Sequence, residues 1–77
     1  MGQPSLSAVQ ARMARAALKL TMREVAALTG VSANTICSFE LGKHPRRPPH
    51  IVRLVREGYE RAGVRFSADG IAEVRQR

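Results

Sequence analysis

Apolar residues recur at three- and four-residue spacing in four stretches of the chain, and capping residues separate these stretches. The first stretch begins at Ser7, where Ser-Ala-Val-Gln forms a capping box in which hydroxyl and amide satisfy each other's backbone donors. This predicts a first helix. Its predicted apolar face consists of Val9, Met13, Ala16, Ala17 and Leu20.

Two further helices follow in quick succession. A second capping box at residues 21–24 begins one helix, and Gly30 ends it because glycine readily adopts the left-handed conformation beyond a helix end. Ser32 is predicted to cap the next helix, which Gly42 terminates. Two capped helices joined by a short turn form the helix-turn-helix pattern.

The residues inside this pattern meet its physical demands. Ala26 is small where the third helix is expected to cross the second, and Gly30 needs a conformation that a Cβ atom penalises. The wedge between the two helices is predicted to be filled by Val31, Ile36 and Phe39. Ordinary helix-hairpin packing is the alternative, which the capped spacing on both sides disfavours.

The last third of the chain changes period. A basic, proline-rich loop leads to a fourth helix that Gly58 weakens in its middle and Gly63 ends. Alternating runs around Asp-Gly at 69–70 then predict a β-hairpin. The fourth helix has a predicted apolar face of Ile51, Leu54, Val55, Tyr59 and Ala62.

The predicted fold is therefore mainly α, with four helices followed by a short C-terminal β-strand or hairpin. The predicted organisation is an N-terminal arm (residues 1–6), a helix-turn-helix domain (7–62, with the second helix of the motif at about 32–41) and a β-segment (63–77). A chain of 77 residues builds only a marginal core, so a partner subunit is expected to add stability.

Charge adds the first indication of function. Thirteen basic residues stand against six acidic ones, and nine of the bases but only two of the acids lie in residues 1–56. Such an excess is expected of a surface that meets phosphates, although charge alone leaves a merely soluble basic domain equally open. No Ser/His/Asp set, paired-carboxylate cleft or phosphate-binding loop is visible, so the sequence predicts no enzyme.

Other site classes find little support. Cys37 with His44 and His50 offers no plausible metal-ligand set, a lone cysteine forms no internal disulfide, and no cofactor is predicted. A redox role for Cys37 is the weaker interpretation of that residue. No signal peptide or membrane span is expected, which predicts a cytoplasmic protein, nucleoid-associated when bound to DNA.

Three segments carry a family resemblance. Residues 14–18, 21–32 and 35–42 read ARAAL, TMREVAALTGVS and TICSFELG, and they resemble the Cro/CI-type (XRE) repressors with their lambda-repressor-like fold. The likeness covers about residues 8–50, and the continuation through Phe66 is similar to short bacterial members that end in a β-segment. The chain departs at Met22, where many members have a Gln that contacts the DNA backbone, and at Lys19, where many have Gly.

The resemblance implies a role for individual residues. An ion pair is implied between Arg15 and Glu40, and Asn34 is the leading base reader because an amide can bond adenine bidentately. The full base-reading set is Ala33, Asn34, Thr35, Cys37 and Ser38. The phosphate-binding set, which fixes register rather than sequence, is Thr21, Arg23, Ser32, Lys43, Arg46 and Arg47.

The expected function is that of a sequence-specific regulator of transcription that binds double-stranded DNA, most simply as an autorepressor. One recognition helix reads too few base pairs for specificity, so a homodimer on an inverted repeat is predicted. Its predicted interface comprises Tyr59, Val64, Phe66, Ile71 and Val74. The alternative is a protein-interaction module such as an antitoxin or anti-activator, and a regulatory protein partner is compatible with either. RNA is disfavoured by the low aromatic content.

Overall fold

The computed structural model describes residues 6–42, 48–67 and 72–74. Within these ranges, four helices are followed by two short strands, which confirms the predicted fold class. The elements are α1 (Ala8–Leu18), α2 (Met22–Thr29), α3 (Ala33–Glu40), α4 (Pro49–Arg61), β1 (Val64–Phe66) and β2 (Ala72–Val74).

The helix boundaries follow the capping residues. The Ser7 hydroxyl accepts a hydrogen bond from the Gln10 amide at 3.0 Å, and the Gln10 side chain accepts one from the Ser7 amide at 3.0 Å, which confirms the first capping box. Pro49 occupies the first turn of α4, where its missing N–H costs nothing. α1 ends at Leu18, and the next residue, Lys19, caps it in the left-handed conformation with φ 57°.

The buried face of α1 differs from the predicted one. Val9 is 51% exposed, and Ala16 and Ala17 are also exposed, whereas Ala11 and Ala14 are buried. Met13 and Leu20 of the predicted face are half-buried, so the prediction was wrong for Val9, Ala16 and Ala17. The face that packs inward is instead centred on Ala11 and Ala14, with Gln10 beside them, and the small side chains of the two alanines let neighbouring elements approach closely.

The apolar face of α4 is also rotated from its predicted position. Val52, Val55 and Tyr59 are buried, whereas Leu54 is 39% exposed. Gly58, which was expected to weaken the middle of this helix, lies within the continuous α4 and is buried. A Cβ atom added there would lie 2.6 Å from Cγ2 of Thr29, so glycine is what allows α4 to approach α2.

The C-terminal hairpin completes the core. β1 and β2 are antiparallel, with Phe66 opposite Ala72 and Val64 opposite Val74. The predicted Asp-Gly turn at 69–70 lies outside the described residues. Val64 and Phe66 point into the protein, and the ring of Phe66 meets that of Tyr59 edge-on, with centroids 6.3 Å apart. β1 packs against α4 and β2 against α1.

Two further features bear on the predicted organisation. Leu6, in the segment predicted as an N-terminal arm, is buried with 4% exposure and belongs to the core. Across residues 6–42, 48–67 and 72–74, no helix is both long and apolar enough to cross a membrane.

Candidate nucleic-acid interface

The turn between α2 and α3 is fixed by a small set of local hydrogen bonds. Gly30 ends α2 with φ 77°, and its amide donates to the carbonyl of Ala26 at 2.9 Å. The buried Thr29 hydroxyl donates to the carbonyl of Val25 at 2.8 Å and accepts from the amide of Val31 at 3.2 Å. Thr29 thus connects the last turn of α2 to the turn that follows it, a role that the sequence reasoning missed.

The N-termini of both helices are capped as predicted. The Thr21 hydroxyl accepts from the Glu24 amide at 3.1 Å, and the Glu24 carboxylate accepts from the Thr21 amide at 2.8 Å. Ser32 accepts from the Thr35 amide at 3.2 Å. Because the Ser32 hydroxyl also donates to the Thr35 hydroxyl at 2.9 Å, Thr35 is part of the cap of α3.

α3 has one face in the core and one toward solvent. Ile36, Phe39 and Glu40 are buried with 2% exposure each. Asn34 is exposed, and the other four predicted base readers, Ala33, Thr35, Cys37 and Ser38, are half-buried. Asn34, Cys37 and Ser38 share the outward face because residues three and four apart are neighbours on a helix.

The predicted phosphate-binding residues fall into two groups. Thr21 and Arg23 are exposed at the start of α2, and Ser32 is exposed at the start of α3. The amide groups at these helix ends and the positive end of each helix dipole favour an anion. The remaining three, Lys43, Arg46 and Arg47, lie outside the described residues.

Arg15 and Glu40 are brought together across α1 and α3. Nε of Arg15 lies 2.7 Å from Oε2 of Glu40, and Nη2 lies 2.9 Å from Oε1, so the pair is bidentate. Arg15 also donates to the carbonyl of Leu20 at 3.3 Å. Glu40 is buried, and its hydrogen bond raises the pKa of the Arg15 guanidinium above its ordinary value. A buried carboxylate satisfied in this way fixes α3 against α1.

Arg12 makes a contact that sequence reasoning did not anticipate. Its Nη1 donates to the main-chain carbonyl of Glu40, the last residue of α3. The only signal in the sequence was that Arg12 lies three residues before Arg15 and therefore on the same side of α1. Two guanidinium groups of α1 thus bind one residue of α3.

Tyr59 lies in the same region of the core. Among the described residues its buried hydroxyl has no hydrogen-bond partner. Burial, with a further contribution from the negative charge of Glu40, raises the pKa of the Tyr59 hydroxyl to about 12. The hydroxyl therefore stays protonated at neutral pH.

The residues predicted for dimerisation have a different setting from the one expected. Tyr59, Val64 and Phe66 are at most 9% exposed and are covered by this chain itself. Their apolar character indicates burial, which this chain itself provides, and the predicted dimer interface stays a prediction. Val74 is half-buried, and Ile71 lies outside the described residues.

Comparison with known proteins agrees with the geometry of α2 and α3. A family model described as a helix-turn-helix domain matches residues 8–66, from the start of α1 to the end of β1. No curated protein and no solved structure matches the chain. The family match covers more than half of the sequence and includes the predicted motif, its two flanking helices and the first strand. The chain therefore belongs to the helix-turn-helix domain family.

Proposed function

We propose that the chain is a sequence-specific DNA-binding regulator of transcription that acts as a homodimeric autorepressor on an inverted-repeat operator. α3 is the recognition helix and enters the major groove. Asn34 reads a base edge, with Ala33, Thr35, Cys37 and Ser38 around it. Thr21, Arg23 and Ser32, together with Lys43, Arg46 and Arg47, bind the flanking phosphates.

The observation that carries this proposal is the asymmetry of α3. Its C-terminal residue, Glu40, is buried and bound by two arginines, whereas Asn34 near its N-terminus is exposed. The helix is thereby held at one end and presented to solvent at the other. Recognition helices of this motif contact base edges through their N-terminal residues, which supports DNA as the partner.

The homodimer follows from the small number of bases that one recognition helix can read. Because Tyr59, Val64 and Phe66 are covered by the chain itself and Val74 packs against the same core, the interface is proposed to use a strand edge of the hairpin rather than these side chains. A two-stranded sheet has outer strand edges that can pair with another chain. Sedimentation equilibrium, alone and with operator DNA, tests this part. A monomer that binds one-to-one would contradict it.

The test of DNA binding is an anisotropy titration on the DNA upstream of this protein's own gene and on scrambled DNA, at several salt concentrations. Tight binding to the upstream DNA alone, with a steep salt dependence, is expected of an autorepressor. Asn34→Ala should lose about 1 to 3 kcal/mol of discrimination between the two DNAs. Arg23→Ala should weaken both complexes equally. It should also reduce by about one the salt slope, which is the slope of log affinity against log salt concentration.

The outcomes separate this proposal from the alternative. Equal and weak binding to both DNAs would contradict autorepression. A second titration on duplexes selected from a random pool then decides between an operator elsewhere and no operator. If no duplex is preferred, the interaction-module alternative gains support, and the exposed Val9, Leu41 and Leu54 become the surface to substitute.

A further inference from the structure

Neither helix of the motif has a basic residue in its own last turn. The carbonyls at a helix C-terminus lack intrahelical partners and carry the negative end of the helix dipole, which favours a nearby cation. In this chain arginines from outside the motif take that position. Arg61 of α4 donates to the carbonyl of Leu28 near the end of α2 at 2.9 Å, and Arg12 of α1 donates to the carbonyl of Glu40 at the end of α3.

The end of α3 matters because this helix is short. It has eight residues, and helices of that length are unstable in isolation, so packing and end contacts decide its position. The Leu41 amide bonds to the carbonyl of Cys37 at 3.0 Å, and the Gly42 amide bonds to that of Phe39 at 3.1 Å. These two bonds form the last turn of α3, and Arg12 binds the carbonyl within it.

We propose that Arg12 is a positioning residue for DNA recognition, which acts by fixing the C-terminal end of α3 and thereby the placement of its base-reading face. The inference rests on the proposed function for its effect on DNA, but the effect on α3 can be measured without DNA. Arg12 differs from Arg15 in its target: Arg15 binds the carboxylate of Glu40, whereas Arg12 binds the main chain of the helix itself.

The test compares three variants. Arg12→Met removes the donor and the charge but keeps the length of the side chain, and Arg12→Lys retains a cation that can donate to a carbonyl. Arg53→Met is the matched control, because Arg53 is an exposed arginine of α4. Each variant is first checked for an unchanged circular-dichroism spectrum, so that a folding failure is recognised.

The first measurement is amide hydrogen exchange by NMR. Arg12→Met should accelerate exchange of the Leu41 and Gly42 amides about fivefold and leave those of α4 unchanged. Arg12→Lys should restore most of the protection, and Arg53→Met should have no effect there. Unchanged exchange at Leu41 and Gly42 in Arg12→Met would overturn the proposal whether or not the protein binds DNA.

The second measurement is the ratio of affinities for a preferred duplex, selected from random sequences, and for a scrambled one. Arg12→Met should lower this ratio about fivefold with the salt slope unchanged, and Arg12→Lys should restore it. A salt slope lowered by about one with the ratio unchanged would identify Arg12 as a phosphate ligand instead and overturn the proposal. If no duplex is preferred, the proposed function fails, while the exchange measurement still decides the role of Arg12.

Discussion

The contact between α2 and α4 gives the sharpest prediction about stability, because two physical effects oppose each other at Gly58. Alanine is favoured over glycine by about 1 kcal/mol inside an exposed helix. Here, however, an added Cβ atom would lie 2.6 Å from Cγ2 and 3.1 Å from Cα of Thr29. The second atom belongs to the backbone of α2, so the strain is relieved only if the two helices separate.

Overpacking of this kind costs about 1 to 3 kcal/mol. After the gain in helix propensity is subtracted, Gly58→Ala is expected to lower the free energy of unfolding by about 1 kcal/mol, with an upper limit of about 2. The corresponding fall in melting temperature is at least about 4 °C for a domain of this size. Glu57→Ala, at an exposed position of the same helix, is the control and should stay within about 0.5 kcal/mol of the wild type.

Urea unfolding followed by circular dichroism measures the effect, and a double-mutant cycle with Thr29→Ser assigns its cause. Thr29→Ser keeps the hydroxyl that bonds to Val25 and Val31 but removes the methyl group that the Cβ atom of an alanine at position 58 would meet. Gly58→Ala should therefore cost at least about 0.5 kcal/mol less when Thr29→Ser is already present. A rise in stability on Gly58→Ala in the wild-type background would refute the close approach of the two helices.

Three other predictions concern single residues and are measured by urea or thermal unfolding. Arg15→Met should cost about 3 kcal/mol, because it leaves the buried Glu40 carboxylate without its cation; a loss below about 1 kcal/mol would contradict the structural importance of the pair. Lys19→Gly should stabilise the chain by about 1 kcal/mol by relieving the left-handed backbone, whereas Lys19→Ala, which keeps the strain, should not. Tyr59→Phe should leave stability at pH 7 unchanged or raised, because the hydroxyl has no partner among the described residues. Since the folded-state pKa of Tyr59 is about 12 against an ordinary 10, wild-type stability should fall as pH rises from 10 to 12, and the Phe variant should lack that component.

The features that could be predicted from sequence are those determined within three or four residues of the chain. The capping boxes at Ser7 and Thr21, the Ser32 cap and the Gly30 turn appear where they were expected, because each depends on groups that are already adjacent in sequence. The family likeness added the meeting of Arg15 with Glu40, which no local pattern contains.

The features that could not be predicted depend on which face of a helix or strand packs against a neighbouring element. Helical periodicity fits several faces of α1 and α4 almost equally well, and the neighbours decide between them. Val9 and Leu54 are exposed for this reason, although each fits an apolar stripe. Tyr59 and Phe66 show the same limit, because their apolar character indicates burial but does not indicate that their rings pack against each other within one chain.

The basic residues show most directly that tertiary contacts are not evident from the sequence, because a count of bases does not say what the bases contact. Of the basic residues in residues 1–56, Arg12 and Arg15 bind groups of Glu40, and Arg56 pairs with Glu60 at 3.2 Å while lying 5.4 Å from the centroid of the Phe66 ring. The number of basic residues therefore overstates the number of cations available to phosphates. The positive surface proposed to meet DNA rests instead on Arg23, at the start of α2, and on Lys43, Arg46 and Arg47, which precede α4 in the sequence. Since each phosphate contact contributes about 0.9 to the salt slope of binding, that slope counts the contacts directly, whereas the sequence counts only the charges.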